Sequence, residues 1–100
     1  MKYGLPANTI EAINGIFKQY SAVKEVILYG SRAKGNYHNG SDVDLTMLGG
    51  DLDLNTQYRI ENDLDDLLLP YKIDLSVKSN IENPELLDHI ARVGLTFYTS

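Results

Sequence analysis

Three aspartates and one Gly-Ser turn are the residues whose types and spacing suit chemistry. Asp42 and Asp44 stand one residue apart at the start of the apolar run Val43-Asp44-Leu45-Thr46-Met47-Leu48. Alternate residues of a strand share a face, so these carboxylates would project together, about 7 Å apart at Cα. A pair held this way can chelate Mg²⁺ and leave other positions to water and phosphate oxygens. Asp74 is the polar member of an apolar stretch, Ile73-Asp74-Leu75. An ionised carboxylate in mid-strand is costly unless a cation or donors meet it. If its strand pairs beside the one carrying Asp42 and Asp44, all three converge. Each feature alone has a plainer reading: a lone Asp-x-Asp is usually a turn-to-strand transition, and Asp74 could face water or pair with Lys72 or Lys78. The conjunction is what points to a metal-dependent site.

Gly30-Ser31 follows directly on the apolar run Glu25–Tyr29. A glycine at a strand end lets backbone N–H groups approach a phosphate closely, and the serine hydroxyl adds a donor. Arg32 and Lys34 put positive charge on the same turn, where they either reach phosphates or solvate the loop. Neither Gly-x4-Gly-Lys-Ser/Thr nor Gly-x-Gly-x-x-Gly occurs. Tyr37 could stack on a base, although local packing is the commoner fate of a loop tyrosine. His38 reads as an exposed loop residue, and His89 as a helix-surface or packing residue.

The elements that must position these groups follow from periodicity and punctuation. Asn8, with Glu11 three residues on, has the pattern of a capping box, and Ile10, Ile13, Phe17 and Tyr20 follow at helical spacing. Glu25–Tyr29 reads as an internal strand, and Asp42–Leu48 as a second strand with Val43, Leu45 and Met47 facing inward. Asn55 or Thr56 opens a second helix to about Leu69, buried through Ile60, Leu64, Leu67 and Leu68, before Pro70 stops it. Tyr71–Val77 alternates again as a strand. Asn83-Pro84 is a strong helix start, Gly94 a natural end, and Leu95–Tyr98 a last short strand. The order α-β-β-α-β-α-β, with a short helical turn allowed between the first two strands, implies an α/β (α+β) fold. It is a small mixed sheet with helices packed on one face.

Composition narrows the function. One hundred residues with 43% hydrophobic content suit one folded domain over 1–100. Without cysteine there is neither a disulfide framework nor a thiolate nucleophile. No run reaches the roughly 20 apolar residues of a membrane span, and no basic leader precedes an apolar segment, so a cytoplasmic setting is expected. The formal charge of −5 argues against holding a long nucleic acid, whose non-specific affinity needs a basic face.

Gly-Ser, ten residues, then Asp-x-Asp resembles the signature of the DNA polymerase beta-like nucleotidyltransferase superfamily, matched here by Gly30-Ser31 and Asp42-Val43-Asp44. The string GSRAKG…SDVDL is similar to the minimal nucleotidyltransferase (MNT) family, where GSRARG…SDIDL is typical. Lys34 replaces an arginine, keeping the charge and losing a bidentate fork. Asp74 in KIDLSV matches the third carboxylate, and NPELLDHIARVGLTFY resembles the family's C-terminal segment. The resemblance implies the nucleotidyltransferase fold, and Mg²⁺-dependent transfer of AMP from ATP to a hydroxyl. In it Asp42, Asp44 and Asp74 are the catalytic and metal-holding residues, for two ions, and Gly30, Ser31, Arg32, Lys34 and Ser41 bind the nucleotide. The acceptor-binding domain of larger superfamily members is missing, which implies a separate partner. In the MNT family that partner is a HEPN-domain toxin, adenylylated on tyrosine by its antitoxin in a hetero-oligomeric pair. Two rival functions stand beside this one: an antitoxin that neutralises by binding alone, and an adenylyltransferase of a small molecule such as an aminoglycoside.

Overall fold

The computed structural model describes residues 1–100 as four helices and four strands. In chain order these are α1 (Ala7–Lys18), β1 (Glu25–Tyr29), α2 (Ser31–Lys34), β2 (Val43–Leu48), α3 (Leu54–Asp65), β3 (Ile73–Val77), α4 (Pro84–Val93) and β4 (Leu95–Thr99), with a 3₁₀ turn at Lys78–Asn80. The strands form one mixed sheet in the order β3–β2–β1–β4. β1 pairs antiparallel with both β2 and β4, and β2 runs parallel to β3. The expected order is present, with α2 as the helical turn between the first two strands.

Alternation decides which side of the sheet is core. Val26 and Leu28, Val43, Leu45 and Met47, and Leu75 and Val77 are buried. They pack in one cluster with Ile13 and Phe17 of α1 and Ile60 and Leu64 of α3. Helices α1 and α3 therefore cover one face. The intervening residues Ile27, Tyr29, Asp44, Thr46, Asp74 and Ser76 occupy the other. There α4 lies against β1, its His89 ring edge-on to Tyr29 at 6.2 Å between centroids and Gly94 close to Ile27. The sheet thus has one covered face, and α4 adds to the opposite side rather than to the helical layer.

Helix boundaries show where local signals yield. Asn8 does not cap α1: the helix starts at Ala7 behind Pro6, and no side chain caps it. A short bridge between Lys2 and Leu5 feeds the chain into Pro6, whose carbonyl accepts from Thr9 and Ile10 N–H, so the helix begins before Asn8. Helix α3 is capped by Asp53, which accepts from Thr56 N–H at 2.7 Å, rather than by Asn55 or Thr56. It ends at Asp65, short of Leu69, and has no basic residue in its last turn to complement the negative helix end. Leu68 consequently leaves the buried stripe; it adopts φ +52 and is 88% exposed. Helix α4 behaves as read, with the Asn83 carboxamide oxygen accepting from Glu85 and Leu86 N–H.

Two candidate caps with opposite fates make a direct test. Asn83→Ala is expected to lower stability by about 1 kcal/mol, a drop in melting temperature of about 4–8 °C. Asn8→Ala should stay within about 0.5 kcal/mol of wild type, because its side chain caps nothing. Thermal denaturation followed by circular dichroism compares the two.

Candidate active site

The parallel pairing of β2 with β3 places Asp44 directly opposite Asp74. Asp42 immediately precedes β2 on the same alternation, so all three carboxylates belong to the face opposite the α1–α3 layer. Asp42 and Asp74 are exposed and Asp44 is half-buried. Burial pushes the Asp44 carboxyl above its usual range, and the neighbouring Asp74 and Asp42 push it further, against a smaller opposing influence of His89. Mutual repulsion of this kind is what a cation between the carboxylates would relieve. No three acidic or histidine side chains enclose a metal-sized space as they stand. The donor set fits a hard cation that takes oxygen ligands from two strands and completes its shell with water and ligand oxygens.

Gly30 closes β1 with φ +75. A β-carbon there would run into the Asp44 carboxylate, so the position needs glycine both for its backbone angle and for room. Its N–H donates to His89 Nε2 at 3.0 Å, and its carbonyl accepts from Lys34 N–H. The N–H groups of Ser31, Arg32 and Ala33, the opening turn of α2, have no protein acceptor. Gly30, Ser31, Asp42, Asp44 and Asp74 are thereby gathered at one end of the sheet.

Arg32 points elsewhere. Its guanidinium is buried, with the residue 2% exposed; Nε and Nη2 donate to the Ser41 carbonyl and Nη1 to the Tyr3 carbonyl. Tyr37 and Tyr71 cover it at 5.3 and 5.0 Å from their ring centroids. The Ser41 hydroxyl accepts from His38 N–H at 2.8 Å. Arg32 therefore braces the loop instead of facing a ligand, and Ser41 braces it through its carbonyl while its hydroxyl proton has no protein acceptor. Lys34 is exposed and forms no ion pair. Tyr37 stacks on Arg32, the local packing that a loop tyrosine favours.

A family model described as Polymerase beta, Nucleotidyltransferase matches residues 11–100. The chain belongs to the polymerase beta nucleotidyltransferase family. No curated protein matches its sequence. Solved structures match its fold. One chain of a toxin–antitoxin complex with AMP-PNP gives a TM-score of 0.71 at 22% identity, over 96% of this chain and 75% of that one. A complex of MNT antitoxin with tri-AMPylated HEPN toxin from Shewanella oneidensis gives 0.66 at 17% identity, over 93% and 71%. An MntA–HepT toxin–antitoxin complex gives 0.67 at 16%, over 95% and 74%. At these identities the likeness is one of fold.

Three residues around the aspartates of this nucleotidyltransferase are given no site role by the sequence reading. His89 reaches Gly30 from α4, and Tyr29 and Ser76 flank the carboxylates on β1 and β3. The Ser76 hydroxyl donates to Thr46 Oγ1 at 2.9 Å. Burial raises the Tyr29 hydroxyl pKa; the neighbouring Ser76 hydroxyl opposes this, while the charges of Asp74 and Asp44 add to it. The strand period is the signal for Ser76, which lies two residues beyond Asp74 as Thr46 lies two beyond Asp44; Tyr29 and His89 are placed only by the pairing of β1 with β2 and the packing of α4. The aspartates line an open face rather than a cavity. The largest cavity, about 620 Å³, lies farther along β2, between Leu48–Leu52, Lys78–Ile81 and Leu87.

Two outcomes follow from these electrostatics. Because folding raises the Asp44 pKa, its ionised form opposes folding at neutral pH. That opposition fades as pH falls through the raised value towards the ordinary 3.8. Asp44→Asn should therefore melt above wild type at pH 7 without metal, and the gap should close in acid; melting curves across pH check it. Arg32→Met leaves the Tyr3 and Ser41 carbonyls without donors and is expected to destabilise by about 2–3 kcal/mol in denaturant titration.

Proposed function

We propose that this nucleotidyltransferase transfers AMP from ATP to a tyrosine hydroxyl of a HEPN-domain partner, and so acts as the antitoxin of a toxin–antitoxin pair. The observation that carries the reading is the in-register pairing of Asp44 with Asp74 beside the left-handed Gly30, on an open sheet face. Small-molecule sites are concave and enclosing. An open face admits a side chain presented by another macromolecule, which favours a protein acceptor over an aminoglycoside. The fold shared with complexes described as containing AMP-PNP and an AMPylated HEPN toxin supports the same choice.

In this reading Asp42, Asp44 and Asp74 hold Mg²⁺, two ions when fully loaded. When bound, the metal neutralises phosphate charge and polarises the phosphorus under attack. Gly30, lacking a side chain, lets the β- and γ-phosphates approach the free amides of Ser31, Arg32 and Ala33 and the Ser31 hydroxyl, with the exposed Lys34 as a cation beside them. Arg32 and Ser41 contribute by bracing the loop that carries Asp42. The acceptor oxygen bonds to the α-phosphorus while the bond from that phosphorus to the α–β bridging oxygen breaks. Pyrophosphate departs with the electron pair, and Asp74 receives the hydroxyl proton. No helix is long and apolar enough to cross a membrane.

The test is the intact mass of the partner encoded beside this chain, after incubation with the chain, ATP and Mg²⁺. AMP-sized increments are expected with wild type and none with Asp42→Ala/Asp44→Ala. A partner that stays unmodified yet is inhibited in a tight complex overturns transfer in favour of neutralisation by binding alone.

A further inference from the structure

His89 lies 59 residues from Gly30 in sequence, yet its Nε2 sits 3.0 Å from the Gly30 nitrogen. An amide can only donate, so Nε2 is the acceptor and the ring proton of the neutral imidazole resides on Nδ1. Several features make this placement specific. Asn83 and Pro84 set the start of α4, buried Ile90 anchors it, and Gly94 closes it against Ile27. The imidazole ring stands at 80° to the Tyr29 ring, which fixes its plane.

The amide it engages is the first one past the end of β1. Gly30 N–H has no strand partner, and the Asp44 carboxylate lies against the Gly30 α-carbon. Left unclaimed, that N–H would seek the nearest acceptor, and Asp44 is the one at hand. We propose that His89 is a positioning residue for the phosphate turn: by taking the Gly30 N–H it holds the turn open and keeps Asp44 from closing on it. The following amides of Ser31, Arg32 and Ala33 then remain free for the polyphosphate of a nucleotide. The inference rests on the function proposed above and adds to it a residue on the last helix, outside the Gly-Ser and Asp-x-Asp signature.

The test is calorimetric titration of AMP-PNP with Mg²⁺ into the whole chain as wild type, His89→Leu and His89→Gln. Leucine keeps packing on Tyr29 but offers no acceptor; glutamine can bring its Oε1 to the place of Nε2. His89→Leu is expected to weaken binding about tenfold, the loss of one well-placed hydrogen bond, and His89→Gln to recover it to within about threefold. The Gly30 amide proton should shift upfield in His89→Leu and return in His89→Gln. Unchanged affinity in His89→Leu, or a His89→Gln protein as weak as His89→Leu, overturns the role of His89. A wild-type chain that binds no AMP-PNP overturns the nucleotidyl-transfer reading itself, so the two failures are distinct.

Discussion

A buried positive charge without a counter-ion holds the site end of this molecule together. Arg32 stands at 2% exposure and forms no salt bridge; its fork is satisfied by the Tyr3 and Ser41 carbonyls, and its flat faces by Tyr37 and Tyr71. Desolvating a guanidinium is tolerable because it is weakly hydrated and its donors are fixed in a plane. An ammonium at the same place would lack both properties. The consequence is long-range: one side chain ties the N-terminal turn, the loop before β2 and the entry to β3 to α2, directly after Gly30. Gly4 belongs to the same arrangement, since a β-carbon there would strike Tyr37 and Arg32. Asp42 lies next to Ser41, so its placement depends on this bond network although Arg32 never approaches the carboxylates' face.

The carboxylates represent the opposite electrostatic situation. Parallel pairing sets Asp44 against Asp74 across one strand spacing, and half-burial of Asp44 adds desolvation to repulsion. A stable protein without a cation would avoid this arrangement. With the hydroxyls of Thr46, Ser76 and Tyr29 on the same face, the arrangement gives up stability locally, and a bound cation would restore it. The neighbouring apolar face supplies the compensation through the α1–α3 core.

The strands and the shared face of the aspartates were legible in the sequence because alternation and the Gly-Ser-to-Asp-x-Asp spacing are local signals. The span Glu25–Tyr29 reads the same in sequence and structure, and Asn83-Pro84 announces α4 without ambiguity. Direction and distance were not legible. Nothing local distinguishes an arginine that reaches out to phosphate from one that turns inward to two carbonyls; the difference is made by Tyr3, Tyr37 and Tyr71, which arrive from three separate segments. His89 is likewise invisible to spacing, because its relation to Gly30 exists only once α4 has crossed to the carboxylate side of β1. The Asn8 capping pattern failed because Pro6 fixes the backbone two residues earlier. Leu68 left its helical stripe because an acidic last turn ends α3 early.

Division of labour between the two sheet faces also constrains what the enzyme can do. The α1–α3 face is closed and apolar, so chemistry is confined to the other. There α4 lies against β1 and Thr46 of β2 is fully buried, so exposure is concentrated at Asp42 and Asp74, with Asp44 half-buried. A transfer reaction needs shielding from water if hydrolysis is not to compete, and the chain's own residues leave the exposed carboxylates unshielded. Under the function proposed above, a partner large enough to cover them, and to deliver one hydroxyl, would meet the requirement that a small soluble acceptor would not. On that proposal catalysis is coupled to recognition, because the reaction surface would be sheltered only in the presence of the molecule to be modified.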